Sequence, residues 1–378
     1  MIREDADRTA ADEAGPERLR REDFGLETGY AAPATATERG LVEIWEEVLE
    51  IDGIGAEDDY FRLGGDSVAA VTLFTEVERR FGRILLPSTL LDCPTVRSIA
   101  ALLDGPARPE AERPLVAVRA EGRRPPLFVA HTIFGDVLFV SKFLPYVPAD
   151  TPVYAIEARG LDGRDPPHDR FEAMAADFVG LLRRLQPAGP YFLAGLCDGS
   201  LTAVEMARIL RGSGEEVAFV GLIDPRVNPL EAPYLHWADP DAPLARLQRR
   251  ARRKWGHLRR WIGARLGRRF AGNAVPAPVD GPEMARRRQA IRAGMTAALA
   301  SYRPRPYEGP VSIFATADHF DLMKRCKPGW DALARRPEVI RVDSSHAEVM
   351  FEGLPKLGEA LRAALERAQA ALPLSRAA

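Results

Sequence analysis

Cys197 stands between Gly195 and Gly199 in the stretch GLCDGS at 195–200, directly behind the apolar run YFLA at 191–194. Small residues two positions to either side let the backbone turn sharply from strand into helix and lift the middle side chain out of the bend. A thiol so presented attacks an acyl carbon if a base takes its proton and a third group orients that base. Without such partners, a cysteine at a strand end is simply a small buried apolar residue. Of the six histidines, His346 is the best base: it lies in DSSHAEVM, just past the apolar run at 339–342. His168, His236, His257 and His319 read as surface residues, and His131, which ends FVAH, reads as a loop histidine that stabilises backbone groups. Two aspartates compete to orient the base, Asp224 at the end of VAFVGLID and Asp318 at the end of SIFATAD, and periodicity does not separate them.

A second candidate lies far upstream. In LGGDS at 63–67, Gly64 and Gly65 permit a tight turn, and Asp66 and Ser67 then open a helical pattern. A hydroxyl exposed at a helix N-terminus is well placed to carry a phosphodiester, because unpaired N–H groups and the helix dipole favour negative charge there. In isolation the three residues GDS would be no more than a helix cap.

The elements that must hold these residues fall into two groups. From Glu38, Leu41, Ile44, Trp45, Val48 and Leu49 recur at spacings of three and four, and Val68, Val71, Phe74 and Val77 repeat the pattern until Gly82 stops it. Val96, Ile99, Leu102 and Leu103 continue it, which predicts a small helical bundle over 37–104. Residues 1–36 are weakly hydrophobic and read as a flexible extension, while 105–125, rich in Pro, Arg and Ala, read as a linker. Beyond it, short apolar runs at 127–130, 153–156, 191–194, 217–223, 311–315 and 339–342 alternate with helical stretches, the pattern of a mostly parallel sheet flanked by helices over 126–372. An insertion at about 229–300 carries Leu244, Leu247, Ala251, Trp255, Leu258, Ile262 and Leu266 at helical spacing and reads as a lid. Such sheets gather ligand-binding groups at the carboxyl ends of their strands, where Cys197, Asp224, Asp318 and His346 all fall.

Composition sets the outer bounds. With 378 residues, 46% hydrophobic and 28% charged, the chain can bury more than one core. Its three cysteines, Cys93, Cys197 and Cys326, are odd in number and contain no CxxC pair, which argues against a disulfide framework or a zinc site and for a reducing, cytoplasmic setting. No signal peptide or membrane anchor is read, and no metal is expected. The net charge of −2 hides a contrast: acids dominate from 43 to 78, whereas 246–269 holds eleven Lys and Arg and no acid. No nucleic-acid module accompanies that basic run, so it reads as a solvated helix face or as a dock for an acidic carrier.

The stretch DDYFRLGGDS resembles the peptidyl carrier domains of nonribosomal peptide synthetases, across roughly residues 38–103. That resemblance implies 4'-phosphopantetheine carried covalently on Ser67, installed by a phosphopantetheinyl transferase. Residues 125 to about 370 are similar to the type I thioesterase domains of peptide and polyketide synthases, through PPLFVAHTIFG, PYFLAGLCDGSLTAVEMARIL, VAFVGLID and SSHAEVMFE. The implied fold is an α/β hydrolase, with the order nucleophile, acid, histidine. In peptide-synthetase members the acid follows the strand after the nucleophile's helix, which selects Asp224 over Asp318 and completes a triad of Cys197, His346 and Asp224. The family's oxyanion donors are backbone N–H groups that map to Asp198 and Ile133. The chain departs from the family pattern in having cysteine at 197, Ser200 where a second glycine is common, and HTIFG where the loop often reads HPxGG. Asp198, beside the nucleophile, either orients an amine substrate or caps the helix.

These readings lead to one expectation. An acyl or peptidyl chain on the Ser67 arm passes to Cys197 and then to a further nucleophile: a carrier thiol, an amine, an intramolecular group, or water. The partners are upstream synthetase modules or other carrier domains. Plain hydrolytic release or editing is the alternative within the same class; a catalytically silent carrier-recognition module is the alternative outside it.

Overall fold

The computed structural model describes residues 18–106, 115–225, 282–325, 329–346 and 348–372. The chain divides into two compact units, one holding the described residues 18–106 and the other 115–372.

In the first unit, β1 (Leu19–Arg20) pairs in parallel with β2 (Ile51–Asp52). Four helices form: α1 (Ala36–Leu49), α2 (Ser67–Phe81) and α4 (Val96–Asp104) on the predicted stripes, and the short α3 (Thr89–Asp92) between the last two. Thr35 caps α1 by accepting the Glu38 N–H at 3.0 Å. Glu38 answers by accepting the Thr35 N–H, which closes a capping box. Leu41, Ile44, Trp45, Val48 and Leu49 form the buried stripe of α1, as their spacing predicts. The flexible extension expected over 1–36 is corrected for its described part. Arg21 donates Nε to Asp58 Oδ2 at 2.7 Å and Nη2 to Asp58 Oδ1 at 2.8 Å, and Ala31 accepts the Ala56 N–H at 2.7 Å. Residues 18–35 therefore lie against the bundle, held by the bidentate Arg21–Asp58 pair, by Arg18 on Asp52 and by a short ladder rather than by an apolar run, the signal that hydrophobic patterning detects.

The second unit contains β3 (Leu115–Arg119), β4 (Leu127–Ala130), α5 (Phe139–Phe143), β5 (Val153–Ile156), α6 (Phe171–Leu185), β6 (Tyr191–Leu196), α7 (Gly199–Gly212), β7 (Val217–Ile223), α8 (Pro282–Ser301), β8 (Ser312–Thr316), α9 (Ala317–Arg325), β9 (Glu338–Val342) and α10 (Leu354–Ala370). The strands form one sheet in the order β3-β5-β4-β6-β7-β8-β9. All pairings are parallel except that of β3 with β5. Every residue of β4 and β6 is buried, which accounts for their unbroken apolar runs. The linker expected over 105–125 is corrected at 115–119, where LVAVR adds an antiparallel edge strand to the sheet. Its proline-rich and arginine-rich surroundings concealed a strand of five residues.

Of the insertion at 229–300, the described part is α8, which buries Met284, Ile291, Met295 and Ala298. Just past its end, Tyr302 donates its hydroxyl to the buried Glu205 Oε1 of α7 at 2.8 Å. The apolar stripe and the basic run at 244–269 lie outside the described residues, as do His236, His257 and Cys326. No described helix is long and apolar enough to cross a membrane.

Candidate active site

Cys197 sits at the junction of β6 and α7 with φ at +55°, a conformation that L-residues hold only when their surroundings enforce it. Three features do so. The Cys197 N–H donates to the Ile223 carbonyl at 2.8 Å, so the β6–β7 ladder holds the residue from one side. A Cβ on Gly195 would stand 2.2 Å from the Gly199 carbonyl oxygen, and one on Gly199 would stand 2.4 Å from the His131 carbonyl oxygen. Glycine at both positions is thus a packing requirement, and the second contact presses the start of α7 against the end of β4. Ser200 is fully buried and donates its hydroxyl to the Gly195 carbonyl at 2.8 Å, closing the bend across its base. That is what the serine does where the thioesterase pattern often has glycine.

The neighbouring Asp198 is completely buried at the N-cap position of α7, yet its side chain makes no capping hydrogen bond. Of the two roles weighed for it, capping the helix is therefore not filled by its side chain. α7 is fourteen residues long, and its positive end lies at Cys197.

Asp224 follows β7, is 1% exposed, and has φ at +47°. Its carboxylate divides its partners. Oδ1 accepts the Thr316 N–H and the Thr316 hydroxyl, each at 2.9 Å, and faces His319 Nδ1 at 3.1 Å. Oδ2 is bonded to His346 Nδ1. Burial alone would raise this carboxyl's pKa, but the hydrogen bonds and charges of His319 and His346 hold it well below the usual carboxylate range. His346 lies in the turn after β9 with about a third of its side chain exposed. Burial works against its charge, yet hydrogen bonds to Asp224 and to Cys197 raise its pKa to about 10. Cys197, His346 and Asp224 therefore form one connected line, with Cys197 7% exposed at its head. Asp318, the other aspartate considered, is exposed in the first turn of α9.

The loop after β4 holds Ile133. His131, fully buried beside Phe178, has a pKa lowered to about 4 by that burial and remains neutral. Its Nδ1 donates to the Thr132 carbonyl at 2.6 Å, and the Gly135 N–H donates to the same oxygen at 3.0 Å. Thr132 C=O and Ile133 N–H belong to one trans peptide and point in opposite directions. Two donors on the carbonyl therefore turn the Ile133 N–H the other way. His131 is the backbone-stabilising loop histidine that its sequence suggested.

Two expectations about histidines are corrected. His168 is 7% exposed and meets Asp177 Oδ2 through Nε2 at 2.7 Å. His319 is 9% exposed, with its ring edge-on to Trp330 at 5.2 Å between centroids. Sequence reasoning missed His319 and Thr316, although the strand-end rule that found Asp224 pointed to them: Thr316 ends β8, and His319 lies within the first turn of the helix that follows.

In the first unit, Ser67 is the first residue of α2. Gly64 has φ at +80°, and a Cβ on Gly65 would fall 2.4 Å from the Tyr60 ring. The Tyr60 hydroxyl donates to the Asp66 carbonyl at 2.8 Å, and Asp66 Oδ1 accepts the Ala69 N–H at 2.9 Å. The LGGDS turn is thereby fixed over Tyr60 and capped by Asp66 at the start of a fifteen-residue helix, an arrangement that suits a phosphodiester.

Comparison with known proteins agrees with both halves. Residues 39–103 match the phosphopantetheine attachment site family, and residues 125–250 match the thioesterase domain family. The chain is 30% identical over 346 residues to the malpibaldin synthetase of Mortierella alpina, covering 90% of this chain and 6% of that protein. It is 32% identical over 206 residues to a dimodular nonribosomal peptide synthase of Bacillus subtilis, covering 54% of this chain and 9% of the relative. The chain thus spans less than a tenth of the length of these relatives. Among solved structures, a four-domain holo nonribosomal peptide synthetase bound to AMP and glycine aligns over 92% of this chain and 27% of its own, at 22% identity and a TM-score of 0.54. The chain is a carrier domain followed by a thioesterase domain with a mostly parallel sheet flanked by helices, and its carrier half implies covalently bound 4'-phosphopantetheine.

Proposed function

We propose that this chain transfers an acyl or peptidyl group through a thioester on Cys197. Its observational basis is the connected line of Cys197 on a strained elbow, His346, and a buried Asp224. The arm belongs on Ser67, where Gly64, Gly65, Asp66 and the start of α2 would hold its phosphodiester, and once bound it supplies a terminal thiol that bears the acyl group. The Cys197 sulfur attacks the carbonyl carbon of the acyl thioester. His346 holds the proton from the Cys197 thiol, and Asp224 keeps the ring oriented and its charge balanced. The backbone N–H groups of Asp198 and Ile133 receive the developing oxyanion. When the new carbon–sulfur bond has formed and the old one breaks, His346 returns its proton to the departing thiol. A second nucleophile then repeats the sequence on the Cys197 thioester.

The thiol has a chemical purpose in this reading. Exchange of one thioester for another is nearly balanced in free energy, so the acyl carbon remains activated for a harder second step. A serine would convert it into a less reactive oxoester. Membership of a peptide-synthetase line is supported by the dimodular nonribosomal peptide synthase among its relatives, and its partners would be a phosphopantetheinyl transferase and upstream modules or other carriers.

Cys197→Ser separates the chemistries. With an acyl-loaded carrier as donor and an added thiol or amine as acceptor, the serine variant should lose about tenfold or more in transfer relative to hydrolysis, the scale of a 1.4 kcal/mol change in relative barriers. An unchanged ratio of transfer to hydrolysis would remove the case for a thiol. A silent recognition module would instead leave Cys197 no more reactive toward iodoacetamide than Cys93.

A further inference from the structure

A carboxylate that orients a catalytic histidine has two equivalent oxygens and can pivot about its Cβ–Cγ bond, so something must fix which oxygen faces the ring. Thr316 supplies two donors to Asp224 Oδ1, both from a single residue at the end of β8. Two donors from one direction leave the carboxylate able to swing about that contact. His319 approaches Oδ1 from a different element, the first turn of α9, with Nδ1 at 3.1 Å. A carboxylate only accepts, so Nδ1 carries the proton. The His319 ring is itself held, 9% exposed and edge-on to Trp330. His346 then takes Oδ2. One buried carboxylate thus serves two imidazoles, one on each oxygen, and it is His346 that bonds to Cys197.

We propose that His319 is a positioning residue for acyl transfer: by donating from α9 to Asp224 Oδ1, it fixes the plane of the carboxylate and so the direction in which Oδ2 holds His346. This rests on the roles proposed above for Cys197, His346 and Asp224. It assigns to the start of α9 a part in the chemistry that the three-residue line omits.

The test uses the full chain and iodoacetamide, which needs no knowledge of the natural acyl group. The second-order alkylation rate at Cys197 is read by peptide mass spectrometry, and the far-downfield proton resonance of the His346 Nδ1–H is read in histidine-labelled protein. In His319→Leu the rate should fall about tenfold and the resonance move upfield, while His319→Asn, whose amide can donate from near the Nδ1 position, should stay within about twofold, as expected for one hydrogen bond to a charged group. Alkylation of His319→Leu at the wild-type rate overturns the proposal. So does an equal loss in the Leu and Asn variants, because filling space beside Trp330 would then be all that His319 does. Asp224→Asn distinguishes the two levels of failure: if it too alkylates at the wild-type rate, the roles of Asp224 and His346 fail, not merely that of His319.

Discussion

At the scale of single residues, the site is a set of charges that stabilise one another across a small distance. An unfolded histidine titrates near 6.5, whereas His346 in the fold is raised to about 10, so the folded chain holds an extra proton between those values. The stability that His346 contributes is therefore complete below about pH 6.5 and is lost as the pH rises toward 10. Urea unfolding of the wild type and of His346→Gln should differ most at the acidic end of that window and converge at its alkaline end. A difference that grows with pH would contradict the pairing of His346 with Asp224 and Cys197. Cys197 and His346 were legible in the sequence because each follows an apolar run, and strand ends are where such sheets place chemistry; Asp224 shared that signal with Asp318 and was chosen only through the family resemblance. His319 was passed over although it lies just past the end of β8: it stands inside a short amphipathic helix, and its bond to Asp224 forms only in the tertiary fold.

At the scale of elements, the elbow and the loop after β4 work as one device. Gly199 brings α7 against the His131 carbonyl, and the His131 ring turns the Thr132–Ile133 peptide. His131→Leu keeps the bulk but removes the donor. Single-turnover acylation should slow by about tenfold, less than the 10²–10³ for outright loss of an oxyanion donor, because the Gly135 N–H still holds the Thr132 carbonyl. Circular dichroism should show the fold retained, and acylation at the wild-type rate would remove His131 from the account. The parallel strands and their helices were legible from alternating apolar runs. The edge strand β3 was not: it is paired on one side only, and its five residues lie among prolines and arginines that dominate any window average.

At the scale of the whole molecule, the proposed chemistry divides between two units of different architecture, an arm site in the carrier and an acyl-transfer site in the thioesterase domain. The carrier unit is larger than its helices, since residues 18–35 are fastened to it by Arg21 on Asp58. The Arg21 side chain is 15% exposed and the Asp58 side chain 1%, so Arg21→Ala leaves a buried carboxylate that still accepts the Gly55 N–H at 2.8 Å but has lost its counter-charge. The expected loss is about 2–3 kcal/mol, at or below the range for breaking a buried pair. Hydrogen exchange should report it as reduced protection of the α1 amides, and unchanged protection would make the strap incidental to the unit. Sequence patterning missed this strap because ion pairs and four paired strand residues bury almost no contiguous apolar surface.

The claim that joins the two units is that an acyl group resides on Cys197 between donor and acceptor. Intact-protein mass spectrometry of the full chain, supplied with an acyl-loaded carrier in trans, measures this directly. A single acyl adduct should persist in Ser67→Ala, where the chain's own arm is absent, and disappear in Cys197→Ala. An adduct that survives Cys197→Ala, or turnover of the donor at the wild-type rate in that variant, would contradict it.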